Sequence, residues 1–170
     1  LLVRQAADAV VRRRHQTRLG PVHRDVLEVL DVVVENRRQR GLGAVAEDGS
    51  IYISDSARQE LSAEEMNEVL MQQKEEIQRR IKTLRRGRPL PRLNGRTVII
   101  ADDGIATGAT LFATIDLCKN HKAERIVVAS PIAGKRMEAI LRNLVDDYVI
   151  LEIPPFYNAV SQGYEDFSNL

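Results

Sequence analysis

The sequence predicts an α/β fold: an open, mostly parallel sheet with flanking helices, plus a hairpin and one long inserted helix. Three observations carry that expectation. Residues 97–153 alternate short apolar, β-branched runs with helical segments, which makes two consecutive βαβ units. An Asp48-Gly49 pair lies between two apolar runs. A capping box at Ser62 opens a stretch whose apolar residues recur at helical spacing.

The elements follow in chain order. Residues 1–15 mix Leu1, Leu2, Val3, Ala6, Ala9 and Val10 with an arginine run and read as a helix with one apolar stripe, ended by Gly20-Pro21. Residues 26–34 are apolar apart from Glu28 and Asp31; 30–34 suit a strand, and the stretch before them suits a helix as well. Residues 36–41 form a polar, basic loop. Residues 44–45 and 51–53 flank Asp48-Gly49 as a hairpin, because glycine tolerates the positive φ of tight hairpin turns. Ser62 and Glu65 satisfy each other's free amides, and Met66, Val69, Leu70, Ile77, Ile81 and Leu84 mark a helix over 63–86, stopped by Gly87 and Pro89. The run 97–101 suits a strand buried on both faces. A helix over 109–120 follows, then a strand over 125–130 stopped by Pro131. A helix over 135–144 and a strand over 148–153, stopped by Pro154-Pro155, complete the pattern.

With 170 residues, 1–170 is expected to form one domain able to bury a real core. A composition of 44% hydrophobic and 29% charged residues excludes low-complexity disorder and a small disulfide scaffold. Cys118 is the single cysteine, so no internal disulfide forms and a reduced, cytoplasmic setting is the expectation. No apolar run approaches the roughly 20 residues of a membrane span. Arg4, Asp8 and Arg12 to Arg14 interrupt any signal-like core at the start. The overall charge of +1 conceals a split: residues 1–96 carry 19 basic and 14 acidic side chains, and residues 97–170 carry 6 and 10. Leu1 in place of an initiator Met points to a chain that was processed or cut, or that lacks an upstream part.

The chemistry concentrates at Asp102-Asp103-Gly104-Ile105-Ala106-Thr107-Gly108-Ala109-Thr110. Two carboxylates end a buried strand, and alternation along an extended chain would point them to opposite sides. Small residues then let a ligand approach the backbone. Thr107 to Thr110 lead into a helix, whose first turn offers free amides and a partial positive charge to a phosphate. The carboxylates suit sugar hydroxyls, or a hydrated magnesium ion carrying a polyphosphate. A phosphorylated sugar matches both halves. Neither the P-loop nor the dinucleotide fingerprint is present.

The string from Val98 to Thr110 resembles the phosphoribosyl-pyrophosphate (PRPP) motif of type I phosphoribosyltransferases: an apolar strand, two acidic residues, a short spacer, then Thr-Gly-x-Thr. The resemblance extends through Leu42 to Gly49, the long helix, and Phe156 to Phe167, and is similar to a bacterial subgroup of unassigned substrate. It covers 42–170 and leaves 1–41 poorly matched. It implies that Asp102 and Asp103 hold the ribose hydroxyls of PRPP. It implies that Ala106, Thr107, Gly108, Ala109 and Thr110 wrap the 5-phosphate. It also implies magnesium bound with PRPP, a nitrogenous acceptor, release of pyrophosphate and a homodimer. The chain departs from the family pattern at two places. Purine-salvage members often carry an acid before the Thr-Gly pair, where this chain has Ala106. No Pro-Arg-Gly-Gly-like pyrophosphate loop is recognisable upstream; Arg37-Arg38 after Val32 to Val34 could stand in for the family's basic pair at pyrophosphate, but the surrounding residues 36–40 do not match it. No catalytic residue is therefore assigned.

Those departures motivate a second reading, a non-catalytic module that senses PRPP or a nucleotide, with nucleic-acid contacts through the arginine-rich N-terminal part. Arg12 to Arg14, Arg37 to Arg40 and Arg85 to Arg88 carry that charge, but few aromatics accompany them, and solvated helix and loop ends explain them more simply. No nucleic-acid or membrane partner is expected. His15, His23 and His121 lack metal-ligand spacing. Cys118 shares a helix face with Leu111 and Ile115 and is expected in the core. Phe156, Tyr157 and Tyr164 suit stacking on an acceptor or a dimer contact; plain packing of the C-terminal tail is the simpler expectation. An acidic pair after a strand also resembles response-regulator receivers, but no later phosphoacceptor Asp and Lys follow.

Overall fold

The computed structural model describes residues 43–164, so the expected helix, strand and basic loop of residues 1–41 lie outside it. The described residues fall into two compact units.

The first unit holds a three-stranded parallel sheet in the order β3 (Thr97–Ala101), β4 (Arg125–Ile132), β5 (Asp147–Glu152). Branched apolar side chains fill β3 and β4, where successive residues are buried, whereas β5 is half-buried and its end is exposed. Val98, Val127 and Val128 are fully buried, and Ile99, Val127 and Ala129 form one face of the core, with Val149 of β5 packed against them. The start of the sheet is fixed by polar contacts. The Asp146 carboxylate accepts from the Ile126 amide at 2.7 Å, and Arg125 meets Asp147 at 3.2 Å. Helix α4 (Lys135–Leu144) buries Met137 and Leu141, one turn apart, and packs on β5. After β5 the chain turns at Pro154-Pro155 and ends in a 3-10 turn at Val160–Gly163.

The expected strand end at Pro131 does not hold: β4 continues to Ile132, with Ser130 opposite Ile150 and Ile132 opposite Glu152. Proline is tolerated where its missing N–H has no ladder partner. The Ala129 carbonyl accepts from Asp102 N at 3.1 Å and the Ile132 carbonyl from Ile105 N at 3.0 Å, so two carbonyls three residues apart face the same side and the alternation of β4 is broken around Pro131. At that level β3 has already left the ladder.

The second unit holds the hairpin β1 (Gly43–Val45) and β2 (Ile51–Ile53), the helices α1 (Asp55–Glu60) and α2 (Ala63–Arg85), and α3 (Ala109–Asn120). The Asp48-Gly49 hairpin forms as predicted: Gly49 sits at φ +89°, and the Asp48 carboxylate accepts from the Ser50 amide at 2.8 Å. Asn120 at the end of α3 donates to Ser50 Oγ at 2.9 Å, and Tyr52 and Phe112 set their rings 4.8 Å apart. Helix α1 was not foreseen; Ser54 caps it by accepting from Ala57 N at 3.2 Å. The capping box of α2 forms in both directions, Glu65 N to Ser62 Oγ at 3.2 Å and Ser62 N to Glu65 Oε2 at 2.9 Å. The far end closes with Arg86 and Gly87 left-handed, and Gly87 N donates to Ile81 O at 3.1 Å.

Helix α2 departs from its predicted stripe at one position. Leu70, Ile77 and Ile81 pack on Val45, but Leu84 is 57% exposed and Arg85 is buried in its stead. The reason is an ion pair. The Arg85 guanidinium grips the Glu47 carboxylate from two nitrogens, Nη1 to Oε1 at 3.1 Å and Nη2 to Oε2, and both side chains are nearly excluded from water. Arg85 therefore leaves the basic surface that the sequence suggested, whereas Arg86 and Arg88 remain exposed. Helix α3 buries Leu111, Ile115, Leu117 and Cys118, and burial together with the Asp48 charge pushes the Cys118 thiol up to about 12, an inert core thiol. His121 is exposed and lies 3.7 Å from Asp48.

Breaking a buried pair from one side leaves an uncompensated charge. Glu47→Gln is expected to lower stability by about 3 kcal/mol in urea titration, and Glu47→Leu with Arg85→Met by less than that single change.

Candidate functional site

The carboxyl end of β3 is built by a local opening of the ladder. Ala101 pairs with Ala129, and Ile105 pairs again with Ala133 in the same parallel register. Between these anchors, held by Asp102 N to Ala129 O at 3.1 Å and Ile105 N to Ile132 O at 3.0 Å, Asp102, Asp103 and Gly104 leave the strand. Pro131 lies opposite this gap and offers no N–H to close it. The strand is thus interrupted without a register slip, and two carboxylates stand at the interruption.

The two carboxyls interact with each other. Asp102 Oδ1 accepts from the Asp103 amide at 2.9 Å. Asp102 and Asp103 have left the extended strand, so the alternation that would point them to opposite sides of it no longer governs them. Asp102 is half-buried and Asp103 is more open to solvent. Burial first, and then the Asp103 charge and hydrogen bond, push the Asp102 carboxyl up to about 7. The pair holds a proton that two isolated carboxylates would have lost.

The C-terminal segment folds onto this loop. A Cβ at Gly104 would stand 2.4 Å from Val160 Cγ1, and one at Gly163 would stand 2.5 Å from Ile132 Cδ1. Glycine at both positions lets the 3-10 turn lie against the end of the sheet. The Tyr164 hydroxyl donates to the Asp103 carbonyl oxygen. The Tyr157 ring lies over Gly134, the N-cap of α4, where a Cβ would stand 3.2 Å from its Cδ1. Burial, and then the charges of Asp102 and Asp103, push the Tyr157 hydroxyl up to about 12; the same causes raise Tyr164. Both phenols stay protonated beside the acidic pair. Phe156 is 85% exposed.

The string then passes into the second unit between Thr107 and Gly108. Ala106 and Thr107 are exposed. Gly108 is the N-cap of α3 at φ +76°, a left-handed conformation that favours glycine. Helices α1 and α2 have serine caps, but α3 has no side-chain cap and no acidic residue in its first turn. Thr110 is half-buried, and its carbonyl accepts from Thr114 Oγ1 at 2.8 Å.

A model of the phosphoribosyl transferase domain matches residues 18–167. The chain belongs to the phosphoribosyl transferase domain family. Two Mycobacterium tuberculosis proteins, "Putative phosphoribosyl transferase MT0597" and "Putative phosphoribosyl transferase Rv0571c", are each 38% identical to it over 146 residues, 85% of this chain and 33% of theirs. The chain thus spans about a third of the length of these relatives. The crystal structure of TT1426 from Thermus thermophilus is 30% identical, covers 75% of this chain and 61% of its own, and superposes with a TM-score of 0.58. Asp102 and Asp103 stand at the ladder opening, and Ala106 to Thr110 run into α3. Arg37 and Arg38 lie outside the described residues. Among the described residues no helix is long and apolar enough to cross a membrane.

Tyr157 and Tyr164 are the residues whose place the sequence did not reveal; tail packing was the simpler expectation, and the structure sets both beside the carboxylates. Their signals in the sequence were the resemblance running from Phe156 to Phe167, the Pro154-Pro155 turn and the glycines that receive the segment.

Two outcomes follow from this geometry. Gly104→Ala is expected to cost about 2 kcal/mol of stability by overpacking against Val160, and Val160→Ala in the same chain to recover most of it, read by urea titration. The folded state binds a proton on Asp102 that the unfolded chain has lost between about pH 4 and 7, so this group's contribution falls as pH rises through that window. Asp102→Asn should then stabilise the protein at pH 8, and the gain should shrink toward pH 4.

Proposed function

We propose that this chain binds phosphoribosyl pyrophosphate and transfers its ribose 5-phosphate to a nitrogenous acceptor with release of pyrophosphate. The observation that carries this reading is the opening of the β3–β4 ladder at Asp102 to Gly104, which presents two interacting carboxyls at the end of a parallel sheet, where ligands bind in α/β folds. Carboxylates accept hydrogen bonds from a vicinal diol, and such charge-assisted bonds are the stronger kind. In this reading the backbone amides of residues 106–110 and the hydroxyls of Thr107 and Thr110 take the 5-phosphate. The glycine N-cap and the absence of an acid in the first turn of α3 support that assignment.

The reaction breaks the bond from the anomeric carbon to pyrophosphate, which leaves with the electron pair, and forms a bond to the acceptor nitrogen, which gives up its proton. The transition state is oxocarbenium-like, so the protein's work is positioning and charge stabilisation. Magnesium enters as part of the diphosphate substrate, a role magnesium commonly takes with phosphates. Ala106 has no group to act on an acceptor. A reading as a PRPP sensor without transfer draws on the sequence, in which no Pro-Arg-Gly-Gly-like pyrophosphate loop is recognisable.

Isothermal titration with magnesium and PRPP is expected to show binding by the wild-type chain. Asp102→Asn with Asp103→Asn should weaken it on the order of a hundredfold, with the circular dichroism spectrum unchanged. No binding by the folded wild-type protein would sink the proposal. Pyrophosphate release on incubation with a panel of bases and amines distinguishes transferase from sensor.

A further inference from the structure

The Tyr157 hydroxyl is buried and has no hydrogen-bond partner among the described residues. A buried hydroxyl without a partner is costly and calls for an explanation. Its surroundings supply one. The ring is seated over Gly134 at the start of α4, and the groups acting on the hydroxyl are Asp102, Asp103 and Tyr164. Tyr164 already donates to the Asp103 carbonyl oxygen. Tyr157 is thus a protonated donor held beside two acceptors and directed at neither by a hydrogen bond.

A sugar hydroxyl needs both kinds of partner. It donates one proton and accepts through its lone pairs. Above about pH 7, where Asp102 has lost its proton, both carboxylates can only accept, so a diol bound by Asp102 and Asp103 would have its protons satisfied and its lone pairs unmet. A neutral phenol in the same place is the complementary group.

We propose that Tyr157 is a sugar-binding residue, whose hydroxyl donates to the oxygen of a ribose hydroxyl held by the acidic pair. This rests on the sugar-phosphate reading of the loop. It goes beyond that reading by giving the C-terminal segment a direct part in recognising the ribose. It also accounts for the orphaned hydroxyl: the partner is the ligand.

The test compares wild type and Tyr157→Phe by isothermal titration with ribose 5-phosphate, 2-deoxyribose 5-phosphate and 3-deoxyribose 5-phosphate. Phenylalanine removes one oxygen and keeps the ring over Gly134, and circular dichroism and thermal melting check the fold. The substitution is expected to weaken ribose 5-phosphate binding roughly five- to tenfold, the size of one hydrogen bond. With one of the two deoxy probes, wild type and variant should bind equally, because the oxygen that Tyr157 contacts is already gone. Equal binding of ribose 5-phosphate by both proteins would overturn the role of Tyr157 and leave the loop's reading intact. The same loss with all three probes would also overturn it, since a packing defect does not read a single hydroxyl. Absence of ribose 5-phosphate binding by the wild type would remove both the sugar-phosphate reading and this one.

Discussion

A parallel ladder that opens for three residues and closes again in register is the constraint on which the site depends. Ala101 keeps its partner on β4 and Ile105 pairs with Ala133 just past the end of that strand, so Asp102, Asp103 and Gly104 are fixed at both ends while free of the strand's alternation. That freedom lets the two carboxyls meet. Pro131 lies opposite the opening on β4, where the alternation of that strand's carbonyls is also broken.

The opening has a cost, visible in the two residues beside it. Asp102 retains a proton to near neutral pH because it is partly desolvated beside a like charge, and Tyr157 keeps a buried hydroxyl unsatisfied. Such strain at one place is expected of a binding site, where ligand groups supply what the protein lacks. The C-terminal segment is tied into the same place by close approaches at Gly104, Gly134 and Gly163. It reads as a wall built against the loop, and its exposed Phe156 extends that wall into solvent.

The second unit shows how polar residues set a register that apolar ones leave open. Helix α2 has few buried side chains for its length, and its last turn is decided by Arg85 reaching Glu47 beside the hairpin. A buried ion pair adds little net stability over an apolar pair of the same shape, but it distinguishes one rotation of the helix from another. Leu84 would have been the apolar choice for that turn, and the pair places it in solvent. The hairpin is held from the other side by Asn120 and by the Tyr52–Phe112 contact.

Most of the described architecture was written locally. The strand at 97–101, the helices at 109–120 and 135–144, the Asp-Gly hairpin and the capping box of α2 were legible because each depends on residues within a few positions of one another. The phosphoribosyl transferase motif was legible for the same reason, being a continuous string. What the sequence could not supply were contacts between distant segments. The persistence of β4 through Pro131 depends on what β3 does opposite it. The burial of Arg85 depends on Glu47, 38 residues away. The arrival of Tyr157 and Tyr164 at the acidic pair depends on where the chain goes after Pro155. Short-range patterns chose the elements and the chemistry of the loop; only the tertiary structure decided which side chains surround its carboxylates, because no local propensity encodes a partner as distant along the chain as Tyr164 is from Asp103.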